Sequence, residues 1–81
     1  MSWYVYMVRC RDGSLYTGIT NDLQRRLDAH NAGIGAKYTK SRRPVCLVYQ
    51  EEVPDKATAL RRECAVKRLT KAQKEQLVVR P

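Results

Sequence analysis

The chain has 81 residues, with 16 Lys+Arg against 8 Asp+Glu and a formal net charge of +8. That length holds one modest core in a single domain, 1–81, and is too short for a second substrate-reading module. The charge favours a polyanionic partner, nucleic acid before acidic lipid, and no run approaches the ~20 apolar residues of a membrane span, so no membrane role is expected.

The first predicted element is a strand from Trp3 to Cys10 (WYVYMVRC), rich in aromatic and β-branched residues. Ser14 to Thr20 (SLYTGIT) is similar, which predicts a hairpin through Asp12-Gly13. Turn length decides its register. A two-residue turn at Asp12-Gly13 pairs Cys10 with Leu15 and puts Tyr6 and Tyr16 on opposite faces. A three-residue loop, Arg11-Asp12-Gly13 with a left-handed Gly13 and a bulge, pairs Val8 with Tyr16 and Tyr6 with Gly18. Both phenols then share a face, and Gly18 leaves room for a ligand to approach the backbone. The other face carries Trp3, Val5, Met7, Leu15 and Ile19, a core pattern.

Asn21, with Gln24 three residues on, reads as the cap of a helix from about Asp22 to Ala32 that Gly33 and Gly35 end. Leu23 and Leu27 face the sheet, Arg26 and His30 share one edge of that stripe, and Arg25 points to solvent. A basic loop, Ala32 to Pro44 (AGIGAKYTKSRRP), leads to a third strand, Val45 to Val53. Asp55 caps a helix from about Lys56 to Leu69, and Thr70 with Gln73 starts a short one ending near Leu77. The fold expected is α/β: a small three-stranded, mainly antiparallel sheet with flanking helices, order β-β-α-β-α-α. Cys10, Cys46 and Cys64 are widely spaced and lack a C-x-x-C pair, which indicates neither a disulfide framework nor a zinc site and agrees with a reducing cytoplasm.

Each polar candidate has an ordinary competing role. Tyr6 and Tyr16 fit strand packing, and Arg26 fits a solvated helix face, yet beside an apolar stripe its guanidinium needs an anion, for which a phosphate is a bidentate partner. His30 fits a helix boundary. Asn31 reads as a helix-end residue, Asp12 as a turn residue, and Asp22 and Asp28 as solvated or helix-dipole partners. Glu63 lies next to a stripe of Leu60 and Cys64, and its plain role is an i, i+4 pair with Lys67. Lys37, Tyr38, Lys40, Arg42 and Arg43 combine cations with an aromatic, which suits contact with a nucleic-acid backbone and base.

The order Tyr4-Val5-Tyr6, Tyr16-Thr17-Gly18, the helix with Arg26, then a later glutamate resembles the GIY-YIG nuclease superfamily, and its small stand-alone bacterial members most. The likeness runs from about Trp3 to Leu69. Tyr4 stands where the first glycine usually does, and Ile19-Thr20 where some members carry a lysine, which leaves one proton-handling group unaccounted for. The resemblance implies a divalent-metal-dependent endonuclease acting on DNA, including branched or single-stranded forms, in repair or processing. It implies Mg2+ or Mn2+ on Glu63, Arg26 on a non-bridging oxygen, Tyr16 activating water, Tyr6 orienting water and phosphate, and His30 as a relay; which tyrosine is the base stays open. A free tyrosine of pKa about 10 is ionised only about one part in a thousand at neutral pH, so it needs nearby cations or a relay. Two other readings share this surface: a non-catalytic basic nucleic-acid-binding module, and a small RNA-associated protein.

Overall fold

A computed structural model describes residues 2–79. Its elements are β1 (Trp3–Arg9), β2 (Leu15–Thr20), α1 (Leu23–Asn31), α2 (Lys37–Lys40), β3 (Cys46–Val53), α3 (Lys56–Lys67) and α4 (Lys71–Val79). The three strands form one sheet in the order β2-β1-β3, with both pairings antiparallel. The expected order β-β-α-β-α-α holds, with α2 added as a single turn inside the basic loop.

The hairpin takes the three-residue loop. Cys10 N–H donates to the Ser14 carbonyl (2.9 Å), Gly13 N–H donates to the Cys10 carbonyl (2.9 Å), and Gly13 has φ +87°. Asp12 supports this geometry by accepting from Ser14 N–H (3.0 Å) and Ser14 Oγ (2.6 Å), so an Asx-turn and a left-handed glycine act together. Tyr6 therefore lies opposite Gly18 and Val8 opposite Tyr16. On the other edge of β1, the partner of Met7 is Tyr49 and that of Val8 is Leu47, so Val48 is an extra residue in β3.

Alternation then sorts the side chains. Val5 and Met7 point to one face, where Val53, Ala59 and Val66 complete a core joined by Trp3, Leu15 and Ile19. Tyr6, Val8 and Cys10 point to the other, where they meet Val45, Leu47, Leu23 and Leu27. Thus α3 and α4 cover one face and α1 covers the opposite one. Full burial of Val5 and Met7 contributes roughly 1.5–3 kcal/mol each.

Two local expectations need correction. Asp22, not Asn21, caps α1: its carboxylate accepts from Arg25 N–H (3.1 Å), while Thr20 Oγ1 accepts the Asp22 N–H (3.1 Å) and delays helix entry by one residue. Gln24 accordingly donates to Asp28 (2.9 Å) instead of closing a capping box. On α3 the sheet-facing residues are Ala59 and Val66, whereas Leu60 is 45% exposed and Cys64 is exposed. The face presented to the sheet is set by close packing of small and branched side chains there, and Leu60 lies off it.

The other helix starts agree with expectation. Asp55 caps α3 through Thr58 N–H (2.7 Å), and Thr70 and Gln73 form a reciprocal capping box on α4 (2.9 and 3.2 Å). A bidentate pair, Arg9 to Glu75 (2.8 and 2.6 Å), ties α4 to the end of β1. Among the described residues no helix is long and apolar enough to cross a membrane.

Candidate active site

The register brings Tyr6, Tyr16 and Gly18 to the α1 side of the sheet. Gly18 does not open the backbone to a ligand, because the Tyr6 ring occupies the space: a Cβ at residue 18 would stand 2.6 Å from Tyr6 Oη. Tyr6 is 2% exposed, so its phenol oxygen must be satisfied within the protein. Two residues of α1, one turn apart, do this. Arg26 Nε donates to Tyr6 Oη (3.2 Å), and Tyr6 Oη lies 2.8 Å from His30 Nε2.

His30 is completely buried. Its second ring nitrogen, Nδ1, is 2.7 Å from Thr39 Oγ1, and Thr39 donates to the Ala36 carbonyl (3.1 Å). Gly35 makes room for the ring, since a Cβ there would lie 2.5 Å from Nδ1. Burial, and secondarily the Arg26 charge, hold His30 below the ordinary imidazole value, so the ring is neutral near pH 7. Burial pushes the Tyr6 phenol up, offset in part by Arg26, with Tyr16 and Glu63 near enough to oppose its ionisation further. Arg26 is held more firmly protonated, first by its hydrogen bond to Tyr6.

Tyr16 is half-buried, with its ring edge-on to His30 (centroids 5.4 Å) and stacked on Tyr38 (5.8 Å). Glu63 lies one turn from both Ala59 and Val66, and its side chain is 18% exposed. It also makes the expected i, i+4 pair with Lys67, at 3.7 Å. The structure thus collects two phenols, one guanidinium and one imidazole on the α1 side of the sheet, while Glu63 stands on α3, near enough for its charge to bear on Tyr6.

A family model described as the GIY-YIG catalytic domain matches residues 2–76 of this sequence. The chain belongs to the GIY-YIG family. The GIY-YIG relatives are small bacterial UPF0213 proteins. One from Staphylococcus haemolyticus is 53% identical over 75 residues, covering 93% of this chain and 92% of its own. One from Desulfotalea psychrophila is 51% identical over 78 residues, covering 95% of this chain and 71% of its own. The solution structure of a UPF0213 protein from Bacillus halodurans superposes with a TM-score of 0.62 at 50% identity, covering 96% of this chain and 83% of that one. A solution structure from E. faecalis gives 0.65 at 46% identity, covering 94% and 81%. GIY-YIG is a nuclease superfamily whose members generally use divalent metals and act on nucleic acid.

In this GIY-YIG domain the basic loop is more structured than its composition implies. Arg42 donates to Asp12 (3.1 Å) and to the Tyr38 carbonyl (2.8 Å) and lies over the Tyr38 ring at 4.0 Å. Arg43 donates to the Lys40 carbonyl (2.8 Å) and approaches that of Asn31 (3.4 Å). These two arginines hold the loop in shape, and Tyr38, 39% exposed, stacks on Tyr16 with Arg42 over its ring. Lys37 and Lys40 are exposed. Asn31 is structural, exchanging hydrogen bonds with the backbone of Val45 (3.1 and 2.8 Å).

One cleft, of about 220 Å³, reaches the GIY-YIG site through Arg26 and is lined by Thr20, Asn21, Asp22, Arg25, Arg26 and Ala29. Another, of about 530 Å³, is lined by Arg11, Asn31, Lys40, Ser41, Arg43 and Pro44 and includes none of the residues gathered around Tyr6. Arg25 thus lines the same cleft as Arg26, and Arg11 lines the other with Lys40 and Arg43. Thr39 was missed. A threonine in a polar loop carries no local sign that a histidine nine positions earlier will need its hydroxyl.

Among the described residues no cluster of three or more His, Cys, Asp or Glu side chains could hold a metal. A single partly buried carboxylate, Glu63, fits a hard cation such as Mg2+ that keeps waters and takes ligands from a substrate phosphate. It does not fit zinc, which requires three or four protein ligands.

Proposed function

We propose that this chain is a divalent-metal-dependent endonuclease that hydrolyses DNA phosphodiester bonds. The observation that carries this reading is Arg26: its Nε is committed to Tyr6, which fixes the guanidinium plane beside Tyr16 and sets the fork at the wall of a cleft where a phosphate can dock. A solvated surface arginine has no reason to be held so. In the proposed reaction Arg26 takes the charge that develops on a non-bridging oxygen. Glu63 would hold Mg2+ or Mn2+, which when bound supplies Lewis-acid stabilisation of the leaving oxygen.

The two tyrosines separate by burial. A general base must come within hydrogen-bond reach of the water it activates. Tyr6 is enclosed by Gly18, His30 and Arg26, whereas Tyr16 is half-buried beside them. Tyr16, acting as its phenolate, is therefore the group that takes the proton from water and becomes the neutral phenol, and Tyr6 positions Arg26 and His30. Lys37 and Lys40, with Arg11, Arg25 and the exposed parts of Arg43, form the track for the DNA backbone, and the fold-holding Arg42 adds charge.

The test is cleavage of duplex, branched and single-stranded DNA, with RNA as competitor, with and without Mg2+ or Mn2+. Arg26→Ala and Glu63→Gln should each abolish metal-dependent cleavage while keeping the fold. Normal cleavage by either purified variant refutes the assignment. Salt-sensitive binding without cleavage, unaffected by Glu63→Gln, would instead establish a non-catalytic binding module on the same fold.

A further inference from the structure

Four hydrogen bonds connect Arg26, Tyr6, His30, Thr39 and the Ala36 carbonyl in a single line, at 3.2, 2.8, 2.7 and 3.1 Å. The two ends of this line have no choice of role. A guanidinium N–H only donates, and a backbone carbonyl only accepts. With one proton on each hydroxyl, the direction of every bond between them follows. Thr39 spends its proton on Ala36, so Thr39 Oγ1 accepts from His30 Nδ1. The imidazole therefore carries its proton on Nδ1 and presents a lone pair at Nε2, which accepts from Tyr6. Tyr6 Oη, having given its proton to His30, accepts from Arg26 Nε.

Reversing the histidine would break the line at Tyr6. An Nε2–H ring would point a second donor at a Tyr6 oxygen already accepting from Arg26 and leave the buried phenol proton without an acceptor. The Thr39 oxygen matters to the favoured form: it is the acceptor for Nδ1–H, and without it that buried donor would be unpaired. Thr39 and His30 are both fully buried, so water cannot repair either fault. Among the described residues the other charged or titratable groups beside His30 are Arg26 on α1, Tyr6 on β1 and Tyr16 on β2, and the hydrogen-bond partner of Nδ1 is Thr39.

We propose that Thr39 is a positioning residue: it holds His30 in the Nδ1–H form and, through Tyr6, sets the Arg26 guanidinium for the reacting phosphate. The catalytic half of this statement rests on the nuclease reading above, and the tautomer half does not. His30 is the only histidine, so a long-range proton–nitrogen NMR spectrum of uniformly labelled protein reads both ring nitrogens without ambiguity. It is recorded well above the ordinary histidine value of about 6.5. The wild-type chain should show a protonated-type Nδ1 and a lone-pair-type Nε2. Thr39→Val, which keeps the shape and removes the hydroxyl, should give a mixed or reversed pattern and lower kcat by about 10- to 100-fold with little change in KM for DNA. Thr39→Ser should restore both.

A lone-pair-type Nδ1 in the wild type overturns the proposal, as does a folded Thr39→Val with the wild-type pattern. A shifted tautomer with unchanged kcat overturns its catalytic half. Should Thr39→Val not fold, the wild-type spectrum and the Thr39→Ser spectrum and kcat still decide. If the wild type cleaves no DNA, the nuclease reading and the catalytic half fall together, while the spectra independently uphold or overturn the tautomer.

Discussion

The Tyr6 ring lies so close over Gly18 that a single methyl at residue 18 would collide with both its hydroxyl oxygen, at 2.6 Å, and Cζ, at 2.8 Å. Tyr6 belongs to the central strand, so its ring cannot move aside as a surface side chain would. Gly18→Ala should therefore displace the phenol, break its bonds to His30 and Arg26, and cost roughly 1–3 kcal/mol of stability. Urea unfolding measures this cost, and cleavage should be lost with it. An alanine variant of wild-type stability would contradict the packing described.

Arg26→Lys keeps the positive charge and removes the planar fork. Lysine cannot both donate sideways to Tyr6 and offer two parallel N–H groups to a phosphate. Cleavage should fall by about 10²–10³, with the thermal midpoint close to that of the wild type. Full activity in the lysine variant would mean that charge alone suffices.

Acid should destabilise the protein early. His30 is held below its ordinary value, first by burial, so the unfolded chain binds a proton that the folded chain refuses, and stability declines as pH falls below about 6.5. Tyr6 is raised, again first by burial, so the unfolded chain loses its proton more readily and stability declines above about pH 10. Between these limits the unfolding free energy should be level. Denaturant melts across pH, together with an NMR titration of His30, check both limbs; a His30 titrating at or above the free value would contradict the first.

The cations of the α2 region should separate into two groups. Lys37→Ala and Lys40→Ala should each weaken DNA binding and reduce its salt slope by about 1, leaving stability unchanged. Arg42→Ala should in addition lower the melting temperature, since it removes bonds to Asp12 and the Tyr38 carbonyl. Equal melting temperatures for all three variants would show that Arg42 is not a support of the loop.

What could be read from the residues follows from the range of the interactions. The hairpin itself was legible, but Asp12-Gly13 suits a two- or a three-residue loop, and the register was fixed only by the Asx-turn and the left-handed Gly13 seen in the fold. The α1 cap was misplaced by one because Asn21 and Asp22 are equally able caps, and the choice lay with the Thr20 hydroxyl. The α3 stripe was misread because Leu60 and Cys64 are apolar, while the sheet admitted Ala59 and Val66. Gly18 was recognised as special for the wrong occupant: the gap beside it is filled by a side chain twelve residues earlier. The Arg9–Glu75 pair spans 66 residues, and the Thr39–His30 bond depends on a loop folding back, so neither has a signature in local spacing.

The central place of β1 has a consequence for the order in which the protein can become itself. The strand that comes first in the chain is the one whose two edges are both covered, the second of them by a strand that begins at Cys46. During synthesis the hairpin can close early, but β1 keeps an open edge until more than half of the chain has been made. The tyrosine pair would thus be aligned before its surroundings are complete, and a fragment ending before β3 would carry every residue of the Tyr6–His30–Thr39 line on a sheet still able to accept a foreign strand.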